Sequence, residues 1–289
     1  MRRYDTTAFL QNIVKFNITE VSVLPPMLVQ VLRSPLATKE TLKSLRYVHG
    51  GGAAMPQTLV NRLKSLLPKD TPCTSIWGLS EGSGIGTCLF WPEHDDTGSI
   101  GRLLTGLSAK VLDEEGNDMR KFDVRGELCI KGPTVMLGYL GDAKSTNETI
   151  DTEGWLRTGD ICYCDAQTKK WYIVDRIKDL IKVNAFQVAP AELEEILLRH
   201  PDIIDAAVIG IDNPEAATEL PRAYVVTRPS AGAALTEETV KEFVAAQVVK
   251  YKRLEGGVRF VSSIPKAASG KILKAPLRDL ARKESKARL

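Results

Sequence analysis

Twice within its first ninety residues the chain runs an apolar strand straight into a glycine-rich loop, at 45–55 (LRYVHGGGAAM) and at 73–86 (CTSIWGLSEGSGIG). Between the two, Pro56 is placed to open a helix, PQTLVNRLKSLL, since proline suits a first helical turn. Strand, glycine loop, helix and strand again is the pattern of an α/β layer with at least partly parallel strands, because a parallel pair needs a crossover long enough to hold a helix. Upstream the same alternation holds. Phe9, Leu10, Ile13 and Val14 form an apolar helical stripe, Thr19 to Val23 a short strand, and the Pro25-Pro26 break leads into another helix.

The texture changes after Gly98. Up to Val174 the apolar segments are short and separated by Gly, Asp and Asn turns: SAKVLDEEGNDM, VRGELCIKG and KKWYIVDR. This predicts a β-barrel-like region or a folded sheet. After Asp179 helices return. PAELEEILLRH carries proline in its first turn with Leu193, Ile196 and Leu197 at helical spacing, and TEETVKEFVAAQVVKYKRL sets Val240, Phe243, Val244 and Val248 on one face. DAAVIGI and RAYVVT read as strands. The predicted organisation is a larger α/β domain over 1–175 and a small α+β domain over 176–289, joined at VDRIKDLIK.

Composition narrows the function. A chain of 289 residues, 43% of them hydrophobic, can bury more than one core, and a net charge of only +3 gives no global pull toward nucleic acid or membrane. No apolar run approaches the length of a membrane span, and MRRYDTTAFLQNIVKF lacks the apolar centre and cleavage site of a secretory signal. The five cysteines, Cys73, Cys88, Cys129, Cys162 and Cys164, form no C-x-x-C pair, and only His49, His94 and His200 could join them, so reduced thiols in an intracellular protein are expected rather than a zinc site. Ala287-Arg288-Leu289 match the small–basic–leucine pattern of a C-terminal peroxisomal address, predicting an import receptor as partner and a peroxisomal location, with the cytoplasm as alternative.

Four stretches could carry chemistry. In PKAASGKILK (265–274), Pro265 stands where a Walker loop needs glycine and Ile272 where it needs Ser or Thr, so a Walker phosphate loop is excluded and, read alone, Lys271 lies in a surface loop. SIWGLSEGSG gathers at one strand end a flat ring (Trp77), a hydroxyl (Ser80) and a carboxylate (Glu81), groups that suit adenine, a phosphate oxygen and Mg²⁺. The alternative is a packed tryptophan beside an exposed acid. In GWLRTGD, Asp160 could accept from two ribose hydroxyls, or the segment is an ordinary turn. DRIKDLIKVNAFQVAPAELE alternates Arg176, Lys178 and Lys182 with apolar residues, as a binding surface or as a strand with a solvated basic face.

In order, GGGAAMP, WGLSEGSG, GWLRTGD, DRIKDLIKVNAFQVAPAELE and PKAASGKILK resemble the core motifs of the adenylate-forming (AMP-binding) superfamily, and most closely its acyl-CoA synthetases of the 4-coumarate–CoA ligase type, relatives of firefly luciferase. The resemblance runs essentially from residue 1 to 280, over the C-terminal part of such an enzyme. It implies the fold: the second half of the large domain followed by a small mobile one. It also implies the reaction, an acid–thiol ligation in which a carboxylate attacks the α-phosphate of ATP and coenzyme A then displaces AMP from the acyl-adenylate, in secondary metabolism or the activation of fatty or aromatic acids. Roles follow by position. Gly52, Ala53 and Ala54 would line the adenine and acyl pocket; Trp77, beside Gly78, would stack on adenine; and Ser80 would replace the usual threonine near the α-phosphate. Glu81 would hold Mg²⁺ and Asp160 the ribose, helped by Arg176. Lys178 would be the hinge, Lys182 and Gln187 would touch the adenylate, and Lys271 would be the adenylation lysine. The small residues Gly82, Ser83, Gly84 and Gly86 would leave room for an aromatic or medium-chain acid.

Two departures stand out. The family's Ser/Thr/Gly-rich loop ending in Pro-Lys-Gly, which embraces the β- and γ-phosphates, does not occur in the 289 residues. Asn184 and Ala185 stand where Lys-Gly usually precedes Phe-Gln at the pantetheine approach. A catalytically silent fragment or interaction module is therefore the alternative to a ligase, and an adenylation domain that loads a carrier protein is a third reading.

Overall fold

The structure is a computed structural model; it describes residues 3–52, 55, 57–184, 186–213, 216, 218–228, 235–267 and 270–286. The chain divides into two compact units, Met1–Ile173 and Val174–Leu289.

The first unit begins with α1 (Thr6–Phe16), whose N-terminus is capped by Asp5 accepting from the Ala8 N–H and whose C-terminus is closed by Asn17 in the left-handed region at φ 49°. Leu10 and Ile13 are buried, whereas Val14 of the expected stripe faces outward. β1 (Glu20–Val23), α2 (Pro25–Arg33), β2 (Tyr47–Gly50), α3 (Gln57–Lys64) and β3 (Cys73–Ser75) follow. The Pro25-Pro26 pair opens α2 rather than merely separating elements, as fixed φ and a missing N–H allow at a first turn. Pro56, expected to open α3, lies outside the described residues. The strands pair in the order β1-β2-β3, parallel throughout, with Val23 opposite Gly50 and Gly50 opposite Ser75. Leu10, Ile13, Leu28, Val31, Leu42, Leu45, Val48 and Leu63 close the core between sheet and helices.

At Ile76, whose N–H still donates to Gly50 (2.7 Å), the chain leaves the parallel sheet. The stretch read as one strand is therefore two: β4 (Trp77–Leu79) starts an antiparallel sheet with β5 (Gly84–Cys88) and β6 (Arg102–Leu103). Next come β7 (Ser108–Leu112), β8 (Gly126–Lys131), α4 (Ala143–Thr149), β9 (Leu156–Cys164) and β10 (Trp171–Arg176). They form an open sheet in the order β10-β9-β8-β7, a folded sheet and not a closed barrel. Trp77, Ile100, Val111, Leu128, Ile130, Leu156 and Trp171 make its core.

The second unit holds the hairpin β11 (Ile181–Val183) and β12 (Phe186–Val188), then α5 (Pro190–Leu198), β13 (Ile203–Asn213), β14 (Thr218–Thr227), α6 (Glu237–Ala245), β15 (Val258–Phe260) and α7 (Lys274–Lys286). β13 and β14 are antiparallel, β14 and β15 parallel. α5 packs Leu193, Ile196 and Leu197 into the core with Val240 and Val244 of α6. α6 is shorter than its apolar spacing predicts. It opens with a Thr236/Thr239 capping box and stops at Ala245, where Gln247 donates its side-chain amide to the Phe243 carbonyl (3.0 Å) and the β-branched pair Val248-Val249 disfavours another turn.

All five cysteines are free, and burial pushes the thiols up, Cys129 to about 12 and Cys73 and Cys164 to about 11, so they are inert packing groups at neutral pH. Among the described residues no helix is long and apolar enough to cross a membrane.

Candidate nucleotide site

In the first unit the three parallel strands end together, so Gly51-Gly52 after β2 and the crossover from β3 to Trp77 emerge from one edge. The carboxyl ends of parallel strands are where α/β sheets place ligands. Gly52 sits there exposed at φ 76°. Ala53 and Ala54 lie outside the described residues.

Trp77 is 6% exposed, packed into the antiparallel core, and its Nε1–H donates to Oδ2 of Asp160 at 2.9 Å. The sequence expected its ring at an adenine face; its N–H is bonded to Asp160, the ribose candidate. Gly86, expected to leave pocket space, instead makes room for this ring, since a Cβ there would meet Cζ3 at 2.6 Å. Gly78 is exposed in β4, and a Cβ on it would overlap the Gly84 carbonyl. Ser80 and Glu81 form a 3₁₀ turn directly after β4. Ser80 is exposed. Glu81 is held from two sides by the loop after β8: Met136 N–H donates to its carbonyl (2.8 Å) and the Tyr139 hydroxyl to Oε1 (2.8 Å). That hydrogen bond to a carboxylate pushes the Tyr139 hydroxyl above its ordinary pKa. Tyr139 was not singled out in the sequence; nothing but its neighbouring glycines marks it.

Asp160 does not stand in a turn. In the β8–β9 ladder Glu127 faces Ile161 and Cys129 faces Arg157, so Thr158, Gly159 and Asp160 together oppose Leu128 in a bulge. The Thr158 hydroxyl donates to the Leu128 carbonyl (2.7 Å) and accepts from the Asp160 N–H (3.1 Å). Gly159, at φ 68°, donates its N–H to Glu127 (3.2 Å), itself held by Arg157. The result is a carboxylate 3% exposed and rigidly aimed.

In the second unit, Lys182 and Gln187 are directly opposed in the β11–β12 ladder, so these two exposed residues share a face. Asn184, at φ 53°, occupies the first position of the two-residue turn between them, its N–H on the Thr218 hydroxyl (2.6 Å). Ala185 lies outside the described residues. Arg176 ends β10 and donates its N–H to Asp175 (2.7 Å); Lys178 follows in a 3₁₀ turn and accepts from Arg278 at its carbonyl (3.4 Å). Lys271 stands on the returning arm of a small hairpin. Lys266 bridges Ile272, the Ala267 N–H donates to the Lys271 carbonyl (2.9 Å), and Gly270 turns the chain at φ 86°. The Lys266 ammonium anchors the other arm to Asp205 (2.7 Å). The segment that read alone as a surface loop thus has hydrogen-bonded arms, with Lys271 on one of them. Ala287, Arg288 and Leu289 lie outside the described residues.

The sequence passed over a buried cluster beside these groups. Asp175 accepts from the Ala191 N–H (3.1 Å) at the start of α5, and Glu194 accepts from Val208 (2.9 Å) and pairs with Lys274 (3.5 Å). Desolvation raises both carboxyls despite the Lys274 charge beside them.

The profile of the AMP-binding enzyme family matches residues 1–140, and that of the AMP-binding enzyme C-terminal domain matches 192–271. Phenylacetyl-CoA ligase epaB of Aspergillus niger is 48% identical over 281 residues, 96% of this chain and 52% of that protein. 4-Coumarate–CoA ligase 1 of Petroselinum crispum is 41% identical over 282 residues, 96% of this chain and 51% of that one. Among solved structures, ATP-bound MatB from Rhodopseudomonas palustris superimposes with a TM-score of 0.88 at 26% identity, over 98% of this chain and 55% of MatB. The chain therefore spans about half the length of the relatives it matches.

Proposed function

Since the chain belongs to the AMP-binding enzyme family, matching both its main and its C-terminal profiles, we propose that it serves an acyl-CoA ligase reaction: ATP-dependent conversion of a carboxylic acid to an acyl-adenylate, then transfer to coenzyme A. The observation that carries this reading is the joining of two separated motifs at one place, the Trp77 indole N–H on the Asp160 carboxylate. A buried, aimed carboxylate near the ends of parallel strands suits a ribose diol. Names of relatives that specify phenylacetyl- and 4-coumarate–CoA ligation favour an aromatic acid as substrate.

Attack of a carboxylate on the α-phosphate concentrates negative charge, which a positioned ammonium stabilises. Lys271 is the group proposed for that role, Ser80 for a hydroxyl to a phosphate oxygen, and Lys182 and Gln187, which share one polar face, for contact with the adenylate. Among the described residues no three His, Cys, Asp or Glu gather into a metal site. Magnesium, which keeps waters and leans on one carboxylate plus substrate phosphates, fits the single oriented Glu81, and when bound it would neutralise phosphate charge.

The test is pyrophosphate release by the purified chain with ATP, Mg²⁺ and a panel of carboxylic acids, followed by thioester formation with coenzyme A. Acid-dependent release that Lys271→Ala abolishes, while thiolysis of supplied acyl-adenylate survives, is the expected result. A second reading is nucleotide binding without turnover. AMP binding with no release for any acid would establish it in place of the first. Absence of both would overturn the functional reading altogether.

A further inference from the structure

Buried tryptophan N–H groups need an acceptor, and buried carboxylates need donors. Trp77 and Asp160 satisfy each other although 83 residues and two different sheets separate them. Both partners are prepared locally. On the Trp77 side, β5 carries glycine at 86, where any side chain would collide with the six-membered ring. On the Asp160 side, the Thr158–Asp160 bulge departs from the regular β8–β9 register and is held by hydrogen bonds to Leu128 and Glu127. A tryptophan serving only as core needs an acceptor, which a backbone carbonyl can supply, but not a carboxylate held in a bulge.

We propose that Trp77 is a positioning residue for diol recognition: its N–H fixes the plane of the Asp160 carboxylate so that it accepts from the two adjacent hydroxyls of a ribose. The inference rests on the adenylate-binding reading above. Two vicinal hydroxyls are bound well only by a carboxylate whose plane is set, because each must meet an oxygen along its lone-pair direction. One short charge-assisted bond at 2.9 Å in the core sets it. Trp77 thereby acts through Asp160 on the sugar.

Titration calorimetry of the full chain with AMP and with 2′-deoxy-AMP separates the possibilities. The wild-type chain should prefer AMP by about tenfold or more, the scale of a hydrogen bond to a charged group. Trp77→Phe keeps an aromatic ring and removes the N–H; it should erase that preference by weakening AMP while leaving 2′-deoxy-AMP nearly unchanged. Equal weakening of both nucleotides would mean a merely structural tryptophan and overturn the proposal, as would an intact preference in Trp77→Phe that Asp160→Ala loses. No binding of AMP by the wild type, or binding indifferent to Asp160→Ala, would instead remove the adenylate reading beneath it. If Trp77→Phe fails to fold by circular dichroism, the ¹⁵N indole resonance of Trp77 decides, assigned by elimination with Trp91→Phe, Trp155→Phe and Trp171→Phe. Slow exchange and a shift larger with AMP than with 2′-deoxy-AMP support the role; a resonance that saturating AMP leaves unmoved overturns it.

Discussion

Lys274 shows how much a single side chain can govern. It lies between two carboxyls with little access to water, its side chain 10% and that of Glu194 14% exposed. Removing one member of such a buried group leaves charge without compensation, a loss of about 3–5 kcal/mol. The sign with pH follows from the raised carboxyls of Asp175 and Glu194. Where the folded-state pKa lies above the unfolded one, the charged form costs stability, fully above the folded pKa and not at all below the unfolded one. Lys274→Met should therefore destabilise the chain most at pH 7.5, and the gap from wild type should narrow at pH 5 as the carboxyls take up protons. Urea unfolding at the two pH values measures this; a gap of the same size at both would contradict it. None of this was legible in PKAASGKILK, because burial of a lysine three residues past Lys271 depends on β10 and α5, which sequence spacing does not bring together.

At the scale of elements, the β11–β12 hairpin is the most informative. The sequence marked Asn184-Ala185 as a departure from the family's Lys-Gly, and the structure shows what position 184 demands: a left-handed backbone, φ 53°, in a two-residue turn. Asparagine tolerates that conformation and β-branched residues do not, so Asn184→Val should cost roughly 1–2 kcal/mol in chemical unfolding. Unchanged stability would mean that the turn rearranges freely. The parallel strands, their covering helices, the proline start of α5 and the αβ alternation were readable from apolar period and turn residues. The β9 bulge was not. TGD has ordinary turn chemistry, and only the β8 partner strand, through Leu128 and Glu127, turns it into a device that aims Asp160. The Trp77–Asp160 bond was not legible for a related reason: an aromatic at a strand end reads alike whether or not its N–H is bonded across sheets.

At the scale of the molecule, chemistry is divided between two units. The first holds the aimed carboxylates, Asp160 with Trp77 and Glu81 with Tyr139; the second holds two candidate cations, exposed Lys182 on one hairpin and half-buried Lys271 on another. With a net charge of +3 the whole chain exerts little long-range attraction, so nucleotide recognition falls to these local arrangements. Asp160 is the group proposed to anchor the ribose of an adenylate. AMP titrated into the full chain by calorimetry, beside Asp160→Asn, is the decisive measurement. The expected result is saturable one-to-one binding that weakens at least about tenfold in the variant, the loss of a charged acceptor. Equal affinity in the two proteins, with both folded, would contradict it.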